Sequence, residues 1–487
     1  MFSLSIFAQA QFSEQVSHTS YILGAGLSNH DSKKINLYLS YEANHFYNEV
    51  QSSNFIENSQ YQFTNSNAKI IKKDFKNLDN WNLGFKWNSN SFIFDSSAKV
   101  YNRQFQNLSY LSISEAYWIT KTSNYDSNLS IKFILGRKLS LWSELDSTWH
   151  LGLWNPILKY EPFNTMEQGL MGIGLETKSQ ASFLVTGDFV ESSFFYNSIF
   201  IPHQEPLSTI HPWSKLNPPS QISIYEVPTA IEYHIQRPNI SEVIDQQGYS
   251  ASLMYSIPKI FSTRISMGQL PMNEFLFAIQ NKLNSSEKTP YLSTTILPVN
   301  LYHQLSSFDA MIDFQIVKIN FHSLNEMPMP YEVKGRNKAW ILPVPSNTHF
   351  QGVDLIIPVL QKFEFELSYI EKSGGKLSWL GKFSDFINDN YNSRFGFEKK
   401  NKLVLNWKQG TKLNIHHKFQ MEKELIDKSE WVSYNFQLQL PNQFKNWSIY
   451  GGTELFFAPM LTTVSTKSDF VVYQNHDYFY GGMRYVY

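Results

Sequence analysis

Lys362-Phe363-Glu364-Phe365-Glu366-Leu367-Ser368-Tyr369 puts Phe363, Phe365, Leu367 and Tyr369 on one side of an extended chain and Lys362, Glu364, Glu366 and Ser368 on the other. Side chains alternate across a strand with period two, so this stretch reads as a strand with one apolar and one hydrated face. Ser433 to Leu440 repeats the pattern, with Tyr434, Phe436, Leu438 and Leu440 against Ser433, Asn435, Gln437 and Gln439. It recurs at Ile35/Leu37/Leu39/Tyr41, Trp81/Leu83/Phe85/Trp87 and Leu403/Leu405/Trp407. A further case sets Leu413, Ile415, His417 and Phe419 against Lys412, Asn414, His416 and Lys418. Each run spans about 8–11 residues, the length of a strand tilted across ~25 Å of lipid.

Short polar stretches separate the runs. Lys408-Gln409-Gly410-Thr411 lies between Trp407 and Leu413, and Glu398-Lys399-Lys400-Asn401 lies between Tyr391–Phe397 and Leu403–Trp407. Both read as hairpin turns. The number of runs predicts an all-β chain forming a single large antiparallel transmembrane barrel of about 18 strands, within roughly 16 to 22. Helical patterning is almost absent, and no fixed repeat points to a propeller or solenoid.

Composition agrees. Of 487 residues, 16% are aromatic and only 17% charged, against about 25% charged in ordinary globular domains. No stretch approaches the ~18 consecutive apolar residues of a membrane helix. An integral chain must therefore be a closed barrel, which satisfies every backbone hydrogen bond in lipid. Charges on alternating strands, such as Glu364, Glu366 and Lys418, are expected to face the lumen, because a lipid-facing charge costs about 2–4 kcal/mol near the midplane. The formal net charge of −1 gives no reason to expect nucleic acid. The absence of cysteine removes disulfides, thiolate metal sites and cysteine nucleophiles.

Met1 to Phe7 is apolar and Ala8-Gln9-Ala10 fits a small-x-small cleavage pattern, so residues 1–10 read as part of an export signal and 11–487 as the barrel. Two regions break the strand rhythm. Residues 140–168 are rich in Trp and acidic side chains, and residues 197–239 carry Pro202, Pro206, Pro212, Pro218, Pro219, Pro228 and Pro238. Prolines at that density exclude a central strand. Both are expected to be long loops at the surface or folded into the lumen.

The chain ends Tyr480-Gly481-Gly482-Met483-Arg484-Tyr485-Val486-Tyr487. This resembles the C-terminal β-signal of Gram-negative outer-membrane proteins, with Tyr480 and Gly482 at its first two fixed positions and Tyr485 and Tyr487 at its last two. The resemblance implies recognition by the barrel-assembly machinery, pairing of this strand with the first, and residence in an outer membrane carrying lipopolysaccharide. Leu135-Gly136-Arg137-Lys138 resembles the strand end of bacterial porins, where a Gly-Arg pair precedes the loop that forms the constriction. The resemblance implies a constriction drawn from Arg137, Lys138, Glu144 and Asp146, with opposed charges producing a transverse field. Trp142, Trp149 and Trp154 would add flat faces on which sugars stack.

Enzyme and metal signatures are not found. There is no His-Glu-x-x-His, and His416 and His417 point to opposite faces of one strand. No Gly-x-Ser-x-Gly elbow occurs, Gly24-Ala25-Gly26 lacks the rest of a dinucleotide fingerprint, and Gly374-Gly375-Lys376 is a turn and not a phosphate loop. No cofactor is expected. The leading expectation is a porin-like channel for small polar solutes or ions. The alternative is a plugged barrel serving surface-polysaccharide binding, export or adhesion. A homo-oligomer such as porins form is compatible with either.

Overall fold

The first and last strands pair with each other, and that contact defines the architecture. In the computed structural model, Tyr38 to Phe46 run antiparallel to Val486 to Tyr478, in register throughout. The structure describes residues 34–486 apart from 58–65, 90, 102–108, 122–128, 159–165, 182–187, 200–219, 225, 237–246, 274–275, 285–289, 300, 330–339, 360–362, 381–393, 410–413, 442–443, 445 and 460–467. The export-signal reading at 1–10, the terminal aromatic Tyr487, and Lys362 and Lys412 lie outside the described residues.

The chain begins with β1 (Lys34–Glu57), β2 (Ser66–Asn88), β3 (Phe92–Tyr101), β4 (Tyr110–Lys121) and β5 (Leu129–Lys138). A connection then carries helix α1 (Glu144–Trp149) and the small pair β6 (Ile157–Leu158) and β7 (Met166–Glu167). β8 (Leu170–Gln180) and β9 (Phe189–Ile199) resume the wall. β10 (Gln221–Ile224) and β11 (Val227–Ile235) precede β12 (Gly248–Ile257) and β13 (Phe261–Pro271). β14 (Leu276–Asn284) and β15 (Tyr291–Val299) precede β16 (Tyr302–Asp313) and β17 (Lys318–Pro328). β18 (Trp340–Pro345) is followed by β19 (Thr348–Val359), β20 (Phe363–Gly374) and β21 (Leu377–Leu380). The wall ends with β22 (Lys399–Gln409), β23 (Asn414–Glu424), β24 (Glu430–Gln439), β25 (Trp447–Phe457) and β26 (Tyr478–Val486), with helix α2 (Asp469–Val472) between the last two.

Leaving aside β6 and β7 and the strands β10, β11, β14, β15, β18 and β21, each strand pairs antiparallel with the next and β26 returns to β1, a closed barrel of 18 strands. The strand count meets the expectation. Because successive strands reverse, every long connection falls at one end, and the opposite end has tight turns such as Pro258 to Ile260 and Phe314 to Val317.

The cross-section is inside out relative to a soluble protein. Leu37, Leu39, Leu83, Leu135, Ile173, Leu253, Ile265, Phe308, Phe321, Leu367 and Met483 are exposed on the outer surface, while Ser40, Glu42, Asn80, Asn82, Lys99, Asp309, His322, Glu366 and Lys402 are buried within. Lipid-facing apolar side chains alternating with lumenal polar ones is what a membrane barrel requires. On β26, Phe479 and Met483 point out, and Tyr478, Tyr480 and Arg484 point in.

The strands outside the wall form a second layer at the long-connection end. β10 pairs with β11, β11 runs parallel to β15, β15 pairs with β14, β14 with β18, and β18 with β21. Tyr233 to Ile235 of β11 also pair with Ala68 to Ser66 at the tip of the long β1–β2 hairpin. Its apolar interior holds Leu276, Ala278, Leu297, Val299 and Leu377. Within 197–239 the described residues include the strands β10 and β11, where Pro228 is accommodated at the second position of β11, paired with Ser223; Pro202, Pro206, Pro212, Pro218, Pro219 and Pro238 lie outside the described residues. The Glu398–Asn401 stretch is also corrected. Lys399 to Asn401 continue β22 against Glu371 to Tyr369, and Lys399 Nζ sits 2.7 Å from Glu371, so the polar run is strand and not turn.

Candidate functional site

The connection after β5 begins at Gly136, whose φ of +124° and contact with the Ala116 carbonyl leave no room for a side chain. Arg137 then turns into the wall, donating from Nη1 to the Ile113 carbonyl at 3.0 Å and to Gln168 Oε1 at 2.6 Å. Lys138 pairs with Glu176 on β8. Both cations are held by β4, β8 and the returning end of their own connection. Neither forms an ion pair with Glu144 or Asp146, so the opposed arrangement expected among these side chains is absent.

Beyond Leu139 the chain crosses to strands far away in sequence. Arg264 Nη1 donates to the Leu141 carbonyl at 2.8 Å, and Ser266 Oγ and Ser307 Oγ donate to the Trp142 carbonyl at 2.6 and 3.1 Å. The Glu144 amide donates to Asp309 Oδ2 at 3.2 Å, and Lys402 Nζ to the Thr148 carbonyl at 3.1 Å. These anchors belong to β13, β16 and β22 and share the inward register opposite Ile265, Met267 and Phe308. Gly352 of β19 leaves space for Leu145, since a Cβ there would stand 2.5 Å from Leu145 Cδ1.

Helix α1 is short and capped at both ends. Ser143 is the N-cap, its Oγ accepting from the Asp146 amide, and His150 ends the helix in the left-handed region at φ 48°. Asp146 is 5% exposed and ties the helix to the returning chain, with Oδ1 accepting from the Leu153 amide at 3.0 Å and Oδ2 from the Trp154 amide at 2.8 Å. It is a brace and not a lining charge. Trp142 and Trp154 are 2% and 1% exposed and stack on each other at 5.9 Å. They fill an apolar cluster with Leu145, Leu153, Phe350 and Ile370, so they present no flat face to a solute. Trp149 is half-buried, with Lys402 Nζ 5.3 Å from its ring centroid.

A cavity of about 90 Å³ between α1 and the inner wall is lined by Glu144 and by none of the other sequence candidates. Facing it are Arg264, Asp309, His322, Asp354, Glu364 and Glu366. His322 bridges two carboxylates, with Nδ1 2.7 Å from Asp309 Oδ1 and Nε2 2.9 Å from Asp354 Oδ2. Lys402 lies 3.2 Å from Glu366, and Asn406 donates to Glu364 at 3.1 Å. Burial pushes the Glu144 carboxyl up to about 7 against the opposing pull of Arg264, and burial likewise pushes Asp146 up to about 7 against the amides it accepts. Among the described residues, no group of three or more His, Cys, Asp or Glu has the geometry to hold a metal ion.

The wall residues of this cavity were not identified from sequence. Strand alternation marks each as inward, yet which inward charges converge depends on pairings between distant strands. The helix did carry a local signal, Ser143-Glu144-Leu145-Asp146, a capping box.

No protein-family profile matches the chain, and no curated protein sequence does. Among solved structures, Pseudomonas aeruginosa OccK11 (OpdR) is similar at 10% identity and a TM-score of 0.40, covering 93% of this chain and 95% of that one. Acinetobacter baumannii OccAB4 is similar at 11% and 0.39, covering 94% and 100%. Salmonella typhi OmpF, in complex with daunomycin, is similar at 10% and 0.38, covering 93% and 98%. Scores of this size do not bear on the fold, which rests on the strand pairing.

Proposed function

We propose that the chain is an outer-membrane channel for small polar solutes or ions, with the connection between β5 and β8 as its constriction. The observation that carries this reading is the set of hydrogen bonds from Arg264, Ser266, Ser307 and Lys402 to that connection. A segment held across the inner face of a barrel narrows the passage, and selectivity then follows from the charges around the narrowing. The apolar outer surface and the polar inner one support a membrane location, and the C-terminal resemblance supports the outer membrane, with lipopolysaccharide and the assembly machinery as partners. No catalytic role is assigned.

The test is single-channel conductance of the refolded chain in a planar bilayer, beside Glu144→Lys. Discrete steps whose ion selectivity shifts toward anions in the variant are expected. A folded barrel that inserts and never conducts refutes the channel.

A second reading is favoured by the second-layer sheet and by the near-complete burial of Glu42, Asn80, Asn82 and Lys99 on the inner face of β1 to β3. A barrel packed this closely on one side, with a sheet fastened to the tip of β2, would serve as a surface platform for polysaccharide. Glycan-array binding without conductance would select it.

A further inference from the structure

We propose that the cavity between α1 and the inner wall is a binding station for an organic cation, the guanidinium or primary ammonium head of a solute. This rests on the cavity's position inside the barrel and refines the channel reading by naming the class of solute.

The side chains lining the cavity include five carboxylates, Glu144, Asp309, Asp354, Glu364 and Glu366, and two that carry positive charge, Arg264 and His322. The cations are largely committed. His322 serves Asp309 and Asp354 with its two ring nitrogens. Arg264 donates from Nη1 to the Leu141 carbonyl and from Nη2 to Met254 Sδ, and it forms no ion pair with a carboxylate among the described residues. Lys402, from β22, goes to Glu366, and Lys418 of β23 stands across Asn406 from Glu364.

Two oxygens are left over. Asp354 is 3% exposed, and its Oδ1 accepts no hydrogen bond; the buried Oε1 of Glu144 on the opposite side accepts none either. An unmet buried acceptor is unfavourable, more so when charged. A group that donates in several directions and carries positive charge would satisfy both and balance the surrounding carboxylates. A guanidinium has five N–H donors and an ammonium three. A bare metal ion is disfavoured by the donor geometry, and an anion by the charge. The two oxygens come from independent parts of the fold, β19 and the connection after β5, so the site forms only when that connection is seated.

The test is binding of methylguanidinium and of ethylammonium at pH 8 to the folded barrel in detergent, read by intrinsic fluorescence of the nearby tryptophans. Saturable binding is expected, absent with acetate. It should weaken about tenfold in Asp354→Asn and in Glu144→Gln, each losing one charge-assisted hydrogen bond, and persist in Glu430→Gln at the rim. Heat-modifiable migration identifies variants that fold. No saturable binding to the folded protein, or binding indifferent to both substitutions, overturns the proposal. The measurement does not depend on conduction. A barrel that binds and never conducts keeps the site and loses the channel, whereas one that conducts without binding keeps the channel and loses the site.

Discussion

Replacing Glu144 with Gln should hold the connection after β5 more firmly at alkaline pH, not less. Glu144 sits on α1 with its carboxyl pushed from 4.5 up to about 7 by burial. Its pKa in the seated state thus exceeds that of the detached state. The seated state binds more protons between those values, so the contribution is fully present below about 4.5 and is lost as pH rises through about 7. A difference of about 2.5 units at 1.36 kcal/mol per unit is roughly 3 kcal/mol. At pH 8 the wild-type segment therefore carries a strain of that order which the neutral Gln lacks. The backbone amide at 144 still donates to Asp309, so the anchor itself is unchanged. A change of ~3 kcal/mol is about a hundredfold in the opening equilibrium. Amide hydrogen exchange across residues 141–154 measures it. In the wild type, protection corrected for intrinsic rates should fall between pH 5 and 8. In Glu144→Gln the fall should be shallower, with Asp146 supplying the remainder, and protection at pH 8 should be higher. Equal or faster exchange in the variant at pH 8, with the β5–β8 ladder intact, would refute the reasoning.

Asp146→Ala removes the acceptor for the Leu153 and Trp154 amides. Each unmet buried donor costs about 1–3 kcal/mol, so these two amides should exchange faster, read by the same method, while the barrel strands keep their protection. Gly352→Val places carbon against Leu145 and should cost about 1–3 kcal/mol of overpacking. Leu145→Ala should recover part of that cost, and the coupling appears as non-additive exchange protection across the four proteins of a double-mutant cycle.

The barrel is legible because its pattern is local and repeated. Phe363 to Tyr369 alternates whether or not the partner strand is known, and lipid outside with water inside makes the alternation strong. The strand count followed from the spacing of such runs. Errors came where one local cue stood for two structures. Glu398 to Asn401 has the composition of a turn, but at the barrel rim polar residues also occupy strand ends, where Lys399 reaches Glu371. The site was legible only in part. Residues 140–168 stand out by interrupting the rhythm, and of the seven candidates named near them Glu144 is the one that lines the cavity beside α1. By residue type Asp146 suggests a lining charge and Trp142 and Trp154 a stacking surface, whereas their surroundings make them a brace and a packed core. Arg264, Asp309, His322 and Asp354 meet only because β13, β16, β17 and β19 adjoin, a fact of register that one sequence does not display.

The sheet built from β10, β11, β14, β15, β18 and β21 has a consequence for how the exposed end can vary over generations. Connections at a surface ordinarily tolerate insertion and sequence change, each on its own. Here the segments between β9 and β12, β13 and β16, β17 and β19, and β20 and β22 are stitched edge to edge, and the first hairpin is fastened to them through Ala68 and Tyr233. An insertion in one shifts the register of its neighbours, so these segments must drift together or stay still. An antibody that recognises this surface reads a mosaic of several segments and will not bind any one of them as a free peptide.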